Sequence, residues 1–169
     1  PKSFSEMEFT PSTPSGSFAS QSLAELLDGS NWADAVLLAG DFGRNSETAI
    51  LLEQFVQKYK GQLALSQDSL DYFIDNPTSL LGRSDALLVP TFSQLQKLAT
   101  GAQSPQAFTS NMDFLHFVDA LHVFTKTHRS ALVVQHLETI FVAIDGKVSS
   151  TKLAQGDEVS IAVHASVWW

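Results

Sequence analysis

Ala33-Asp34-Ala35-Val36-Leu37-Leu38-Ala39-Gly40-Asp41-Phe42-Gly43-Arg44 reads as a strand that runs straight into a glycine turn. Ala35 to Ala39 is apolar without alternation, which suits a strand covered on both faces, as in a parallel sheet. The next residues complete a strand–turn–helix unit. Ser46 is expected to cap a helix through Lys58, with Ile50, Leu51, Phe55 and Val56 at helical spacing, Glu47 placed for the helix dipole, and Gly61 as the stop.

The unit then recurs downstream. Leu63-Ala64-Leu65 is a second buried strand followed by a helix over Asp68 to Ile74. Ala86-Leu87-Leu88-Val89 is a third, ended by Pro90 and followed by a helix over Ser93 to Ala99. A long helix is expected over Asn111 to Thr127, with Phe114, Phe117, Val118, Leu121 and Phe124 inward. Ala131-Leu132-Val133-Val134 and Thr139 to Ile144 are the fourth and fifth strands. Asp145-Gly146 before Lys147-Val148 marks a hairpin turn. Gly156-Asp157 opens a last helix to the C-terminus. Alternating strands and helices imply a mostly parallel sheet, helices on both faces, three layers, right-handed crossovers and a C-terminal β-hairpin.

Upstream of the opening stretch, Ser20 or Ser22 suits the cap of a short helix through Leu23, Leu26 and Leu27, ended by Gly29. Residues 1–21 are rich in Ser, Thr and Pro, with Phe4, Phe9 and Phe18 interspersed. Pro11 and Pro14 exclude a helix there. An extended arm lying on the surface, with one short edge strand, is expected over 1–21, and a single domain over 22–169. The chain opens on Pro1, which reads as loss of an initiator Met or as a fragment. The apolar end, Ile161 to Trp169, reads as rings packed against the core or as a cut in a longer chain.

Composition narrows the function classes. With 169 residues and 44% hydrophobic content the chain can bury a core without staples. The absence of cysteine excludes disulfides and thiolate metal sites and fits a reducing, cytoplasmic setting. The net charge of −8 argues against duplex nucleic acid as a partner, because phosphate neutralisation supplies most of such affinity. A polyphosphate would have to rely on helix N-termini and backbone amides. No run of about 18 apolar residues exists, so no membrane span is expected, and no signal-peptide pattern opens the chain. The five histidines have no metal-ligand spacing: His116 and His122 are six apart, off one helical face. No Gly-x-Ser-x-Gly elbow occurs.

In an open α/β sheet, ligands bind beyond the carboxyl ends of the strands. Five segments are expected there: Gly40 to Arg44, Ser66 to Ser69, Pro90 to Ser93, Gln135 to Thr139, and Gln155 to Asp157. As an ordered set they resemble the ADP/ATP-dependent NAD(P)H-hydrate dehydratase family, a carbohydrate kinase-related group of ribokinase-like fold. The opening stretch with Glu47-Thr48 is similar to the family's "adavviGPGLGr…et". Ser66-Gln67-Asp68-Ser69-Leu70-Asp71 resembles "DADALN", and Leu88 to Leu95 resembles "lTPHPGEf". Gln135 to Thr139 with Asp145-Gly146 resembles "KGaxT…dG", and Gly156-Asp157 resembles "GGxGDxL". The likeness runs from about Ala33 to Trp169. The strands and helices that a complete member carries ahead of it have no counterpart.

The resemblance implies a lyase that repairs hydrated NADH and NADPH. ADP or ATP, with magnesium as its companion ion, phosphorylates the hydrate's hydroxyl, and phosphate then leaves. Asp157 would be the catalytic base at a helix N-terminus. Gly40, Gly43, Asp68, Thr91, Gln135, Thr139 and Gly156 would bind nucleotide or substrate. A homo-oligomer is implied in the same way. Asp157 and Asp68 also suit plain helix caps, Asp41 with Arg44 a surface turn with an ion pair, and Trp168-Trp169 core packing.

The departures run in one direction. A carboxylate and a ring, Asp41 and Phe42, stand in the glycine loop, and Ser66 replaces the first Asp of DADALN. Thr91 and Gln94 replace His and Glu, Gln135 and His136 replace Lys and Gly, and Ala154 and Gln155 replace glycines. Fewer glycines and no lysine both weaken anion binding. The expectation is a degenerate domain, a pseudoenzyme or weak nucleotide binder. The alternatives are a working dehydratase or small-molecule kinase of the same fold, or a structural and oligomerisation module whose exposed edge strand is covered by the arm or a second subunit.

Overall fold

The computed structural model describes residues 9–153. The strand-like runs become adjacent strands of one sheet, ordered as in the chain, β1-β2-β3-β4-β5-β6. β1 (Ala35–Leu38), β2 (Gln62–Ser66), β3 (Ala86–Val89) and β4 (Ala131–His136) are parallel neighbours. β5 (Thr139–Ile144) and β6 (Lys147–Lys152) follow as antiparallel strands. The Asp145-Gly146 turn forms as expected, with φ of 49° and 74°, the pair of left-handed residues that a two-residue hairpin favours.

The helices are α1 (Ser22–Ser30), α2 (Ser46–Lys58), α3 (Thr78–Leu81), α4 (Phe92–Gly101) and α5 (Phe114–Thr127). Their buried apolar side chains, including Leu51, Phe55, Leu95 and Phe117, join one core with Leu63, Leu65, Ala86, Leu88, Leu132 and Val134. The intervening strand residues Ala64, Leu87, Ala131 and Val133 point the other way and form a second, smaller cluster with Val89 and Ile140. The described helices all place their buried apolar side chains in the first cluster; the expected helices on the other face, and with them the third layer, are not seen among the described residues. The helix expected from Gly156-Asp157 and the packing of Trp168-Trp169 lie outside the described residues.

Several local expectations need correction. α2 is capped by Asn45, in extended conformation with Oδ1 accepting from the Glu47 amide at 2.7 Å, so Ser46 falls inside the helix. α1 has no side-chain cap: Gln21 holds the position, the Ser22 hydroxyl donates to the Pro11 carbonyl, and Gly29 lies within the helix. α5 begins at Phe114 because Asp113 Oδ1 takes the His116 amide at 2.9 Å. The segment Gln67–Phe73 is a 3₁₀ helix; Gln67 enters it at φ 56°, and no side chain caps it. Asp68 is therefore not a cap. α3, behind Pro77, was not expected.

Of the arm, residues from Phe9 onward are described. A single bridge, Ser12 to Phe18, closes a small loop around Gly16, so the expected edge strand is reduced to one pair. The arm then docks on α2: the Thr48 hydroxyl donates to the Phe18 carbonyl at 3.1 Å, and the Ser20 amide donates to Glu47 Oε1 at 2.8 Å.

Candidate functional site

The carboxyl ends of β1 and β2 frame a concavity of about 690 Å³. Its walls include Asp41 and Arg44 from the glycine turn, Asp68, Asp71 and Tyr72 from the 3₁₀ segment, and Lys97 from α4. Gly40 and Gly43 take φ of 102° and 70°, so the turn needs glycine at both. At Gly43 space is short as well, because a Cβ there would collide with the Ser17 hydroxyl of the arm. The rings of Phe18 and Phe42 meet on the same side at 5.9 Å.

Two of the backbone amides that could hold an anion, those of Gly43 and Glu47, are already engaged by the chain. Asp41 Oδ1 accepts from the Gly43 amide at 2.8 Å, and Asn45 occupies the first turn of α2. The expected Asp41–Arg44 ion pair does not form: among the described residues the ion pairs are Arg83–Asp85 and Asp113–His116. Four carboxylates (Asp41, Asp68, Asp71, Asp75) face the concavity against Arg44 and Lys97. Tyr72 presents a sheltered hydroxyl without a hydrogen-bond partner. Burial first, then the Asp41 carboxylate, pushes its pKa up, so it stays a neutral donor. Among the described residues, no trio of His, Cys, Asp or Glu converges closely enough to hold a metal ion.

Further along the edge, the matching positions serve the fold. Thr91 caps α4 in a reciprocal box: its hydroxyl accepts the Gln94 amide at 3.2 Å, while Gln94 Oε1 accepts the Thr91 amide at 3.0 Å. The Gln94 amide group also donates to the Gln67 carbonyl at 2.9 Å and to Asp71 Oδ1 at 3.0 Å, tying α4 to the 3₁₀ segment. Ser69 directs its hydroxyl to the Ser66 and Leu38 carbonyls, joining the ends of β1 and β2.

At β4 the expected loop Gln135 to Thr139 is a tight hairpin. Gln135 and His136 belong to β4, Leu137 turns at φ 53°, and His136 pairs with Thr139. The His136 ring is buried between Phe92 and Phe117, at 4.7 Å and 4.5 Å, with Nε2 3.3 Å from the Met112 carbonyl. Gln135 alternates to the other face and donates to the Leu137 carbonyl. Thus Gly43 and Asp68 meet at the concavity, Gly40 lies in its bounding turn, and Thr91, Gln135 and Thr139 are not among its walls. Gly156 and Asp157 lie outside the described residues. Sequence reasoning missed Tyr72 and Lys97. Asp68, Asp71 and Asp75 carried a signal in their spacing.

No family model and no curated protein matches this chain. A solved structure does: a ribokinase-like superfamily protein from Enterococcus faecalis V583, with TM-score 0.63 and 12% identity over 87% of this chain and 51% of that one. The chain spans about half the length of that protein. The fold is ribokinase-like: a mixed α/β sheet, parallel at first and closing in antiparallel hairpin strands. At this identity the likeness carries the fold alone. No described helix is long and apolar enough to cross a membrane.

Proposed function

We propose that this chain is a degenerate NAD(P)H-hydrate dehydratase-like domain, inactive as a lyase and at most a weak binder of ADP or ATP. One observation carries the reading: the Gly43 amide of the glycine turn and the Glu47 amide in the first turn of α2 donate to the chain's own Asp41 and Asn45. A phosphate would have to displace these bonds and then face the carboxylates of the concavity. The stacked His136, where the family has the glycine of its KG pair, adds support, since a buried ring fills that end of the edge. With four carboxylates against two basic side chains, and no trio of ligating groups among the described residues, the walls do not fit a polyphosphate or its magnesium companion.

The rival reading, a working enzyme, draws on the chain's exit. The Leu153 amide donates to the Glu138 carbonyl at 2.9 Å, leaving the backbone at the carboxyl edge. Asp157 follows within a reach of about 14 Å of chain. Thermal denaturation with ADP and ATP, each with and without magnesium, tests the proposal. A competent site at about 100 times its dissociation constant adds about 2.7 kcal/mol; a far smaller shift, and no turnover of NADH hydrate, is expected. Turnover that disappears in Asp157→Asn would establish the enzyme instead.

A further inference from the structure

The outer edge of β1 differs from the rest of the sheet. Among the described residues no strand pairs with it, so alternate N–H and C=O groups of Ala35–Leu38 face outward. Edges are usually blunted by charge, proline or a bulge, yet β1 itself is Ala-Val-Leu-Leu, and Leu37 is 43% exposed. Trp32, just ahead of the strand, is 83% exposed and Phe9 is 87% exposed. The two rings share one depression with Glu25 and Asp28. From Phe9 to Gly43 the sequence carries Glu25, Asp28, Asp34 and Asp41, and no Lys, Arg or His.

We infer that this edge is a docking surface for an extended segment of another protein, one that alternates apolar and basic residues and adds a strand to β1. The bare edge supplies the main-chain pairing, Trp32 and Phe9 supply an apolar anchor, and the carboxylates choose the sign of the partner's charge. That charge argues against a second copy of this chain, which would bring Asp34 and Asp41 of each protomer towards those of the other in an antiparallel two-fold pairing. The inference is independent of the site at the carboxyl edge.

The probe is a fluorescein-labelled synthetic peptide of roughly eight residues alternating Lys and Val, about one strand long, read by anisotropy at low salt. Companion peptides alternate Glu with Val, or Lys with Pro. Binding of the Lys-Val peptide alone is expected, weakened about tenfold or more by Trp32→Ala and by Asp28→Lys with Asp34→Lys. These positions are exposed, so the variants should keep the native circular dichroism. Failure of the Lys-Val peptide to bind, equal binding of the Lys-Pro peptide, or undiminished binding to Trp32→Ala each overturns the inference. So does sedimentation showing a dimer that Trp32→Ala dissociates, which would assign the edge to a second copy.

Discussion

Arg83 shows how much structure one side chain can hold when its geometry is planar and its surroundings are dry. The guanidinium donates to the carbonyls of Val56, Tyr59 and Gly61 and to both oxygens of Asp85, fastening the end of α2 and the start of β2 to the approach to β3. The side chain is 12% exposed. Removing it orphans three carbonyls and a carboxylate together, and a hydrogen bond to a charged group contributes about 1.5–3 kcal/mol. Arg83→Ala should therefore lower the urea-unfolding free energy by about 3 kcal/mol or more. Arg83→Lys restores the charge without the fork and should recover only part of the loss. A loss below about 1 kcal/mol in the alanine variant would show that these carbonyls find water instead. The residues of the edge obey the same logic on a smaller scale. Thr91, Gln94 and His136, placed by the family pattern where a ligand would be gripped, are spent here on capping, bridging and stacking.

Among the elements, what could be read from sequence was what a single segment decides for itself. The apolar runs of β2, β3 and β4 were legible as buried strands, whereas β1, read as covered on both faces, lies at the sheet edge with Ala35 and Leu37 exposed. The β5–β6 turn was legible because Asp145-Gly146 favours left-handed backbone. The β4–β5 turn was hidden, since Leu137 adopts φ 53° without a residue that advertises it. The concavity was legible only in outline. The glycine turn and Asp68 could be placed at the edge, but Tyr72 and Lys97 reach it through packing between distant segments. The end of α5 carries a consequence of its own. His128 follows the helix as its C-cap residue, its ring packs against Phe124 at 4.5 Å, and its buried Nε2 has no hydrogen-bond partner. Burial pushes its pKa below the ordinary histidine value. The unfolded chain then binds the proton more readily, so stability is full above the unfolded histidine pKa, near 6.5, and falls as pH drops through it towards the lower folded value. His128→Phe should flatten the part of the stability–pH curve below about pH 6.5 that belongs to this group. An unchanged slope in urea titrations across that window would show that His128 accepts its proton without opening the packing.

The whole molecule sets the field in which any local grip must work. A net charge of −8 surrounds the sheet, and its candidate concavity carries Asp41, Asp68, Asp71 and Asp75 beside only Arg44 and Lys97. An ordinary nucleotide site loses affinity as salt rises, because salt screens attraction between a basic pocket and the phosphates. Here the long-range term has the opposite sign, and the near positive charges, Arg44 and Lys97, are outnumbered two to one by the carboxylates. Whatever affinity the chain retains for ADP should therefore strengthen, or at least not weaken, as salt rises from about 0.02 M to about 0.3 M, across which the screening length falls from about 20 Å to about 6 Å. Isothermal titration at the two salt concentrations reads this directly. A several-fold loss of affinity at the higher salt would mean that a concentrated positive charge outside residues 9–153, or one brought in by rearrangement, meets the phosphates, and the proposal of a site stripped of its grip would fall with it.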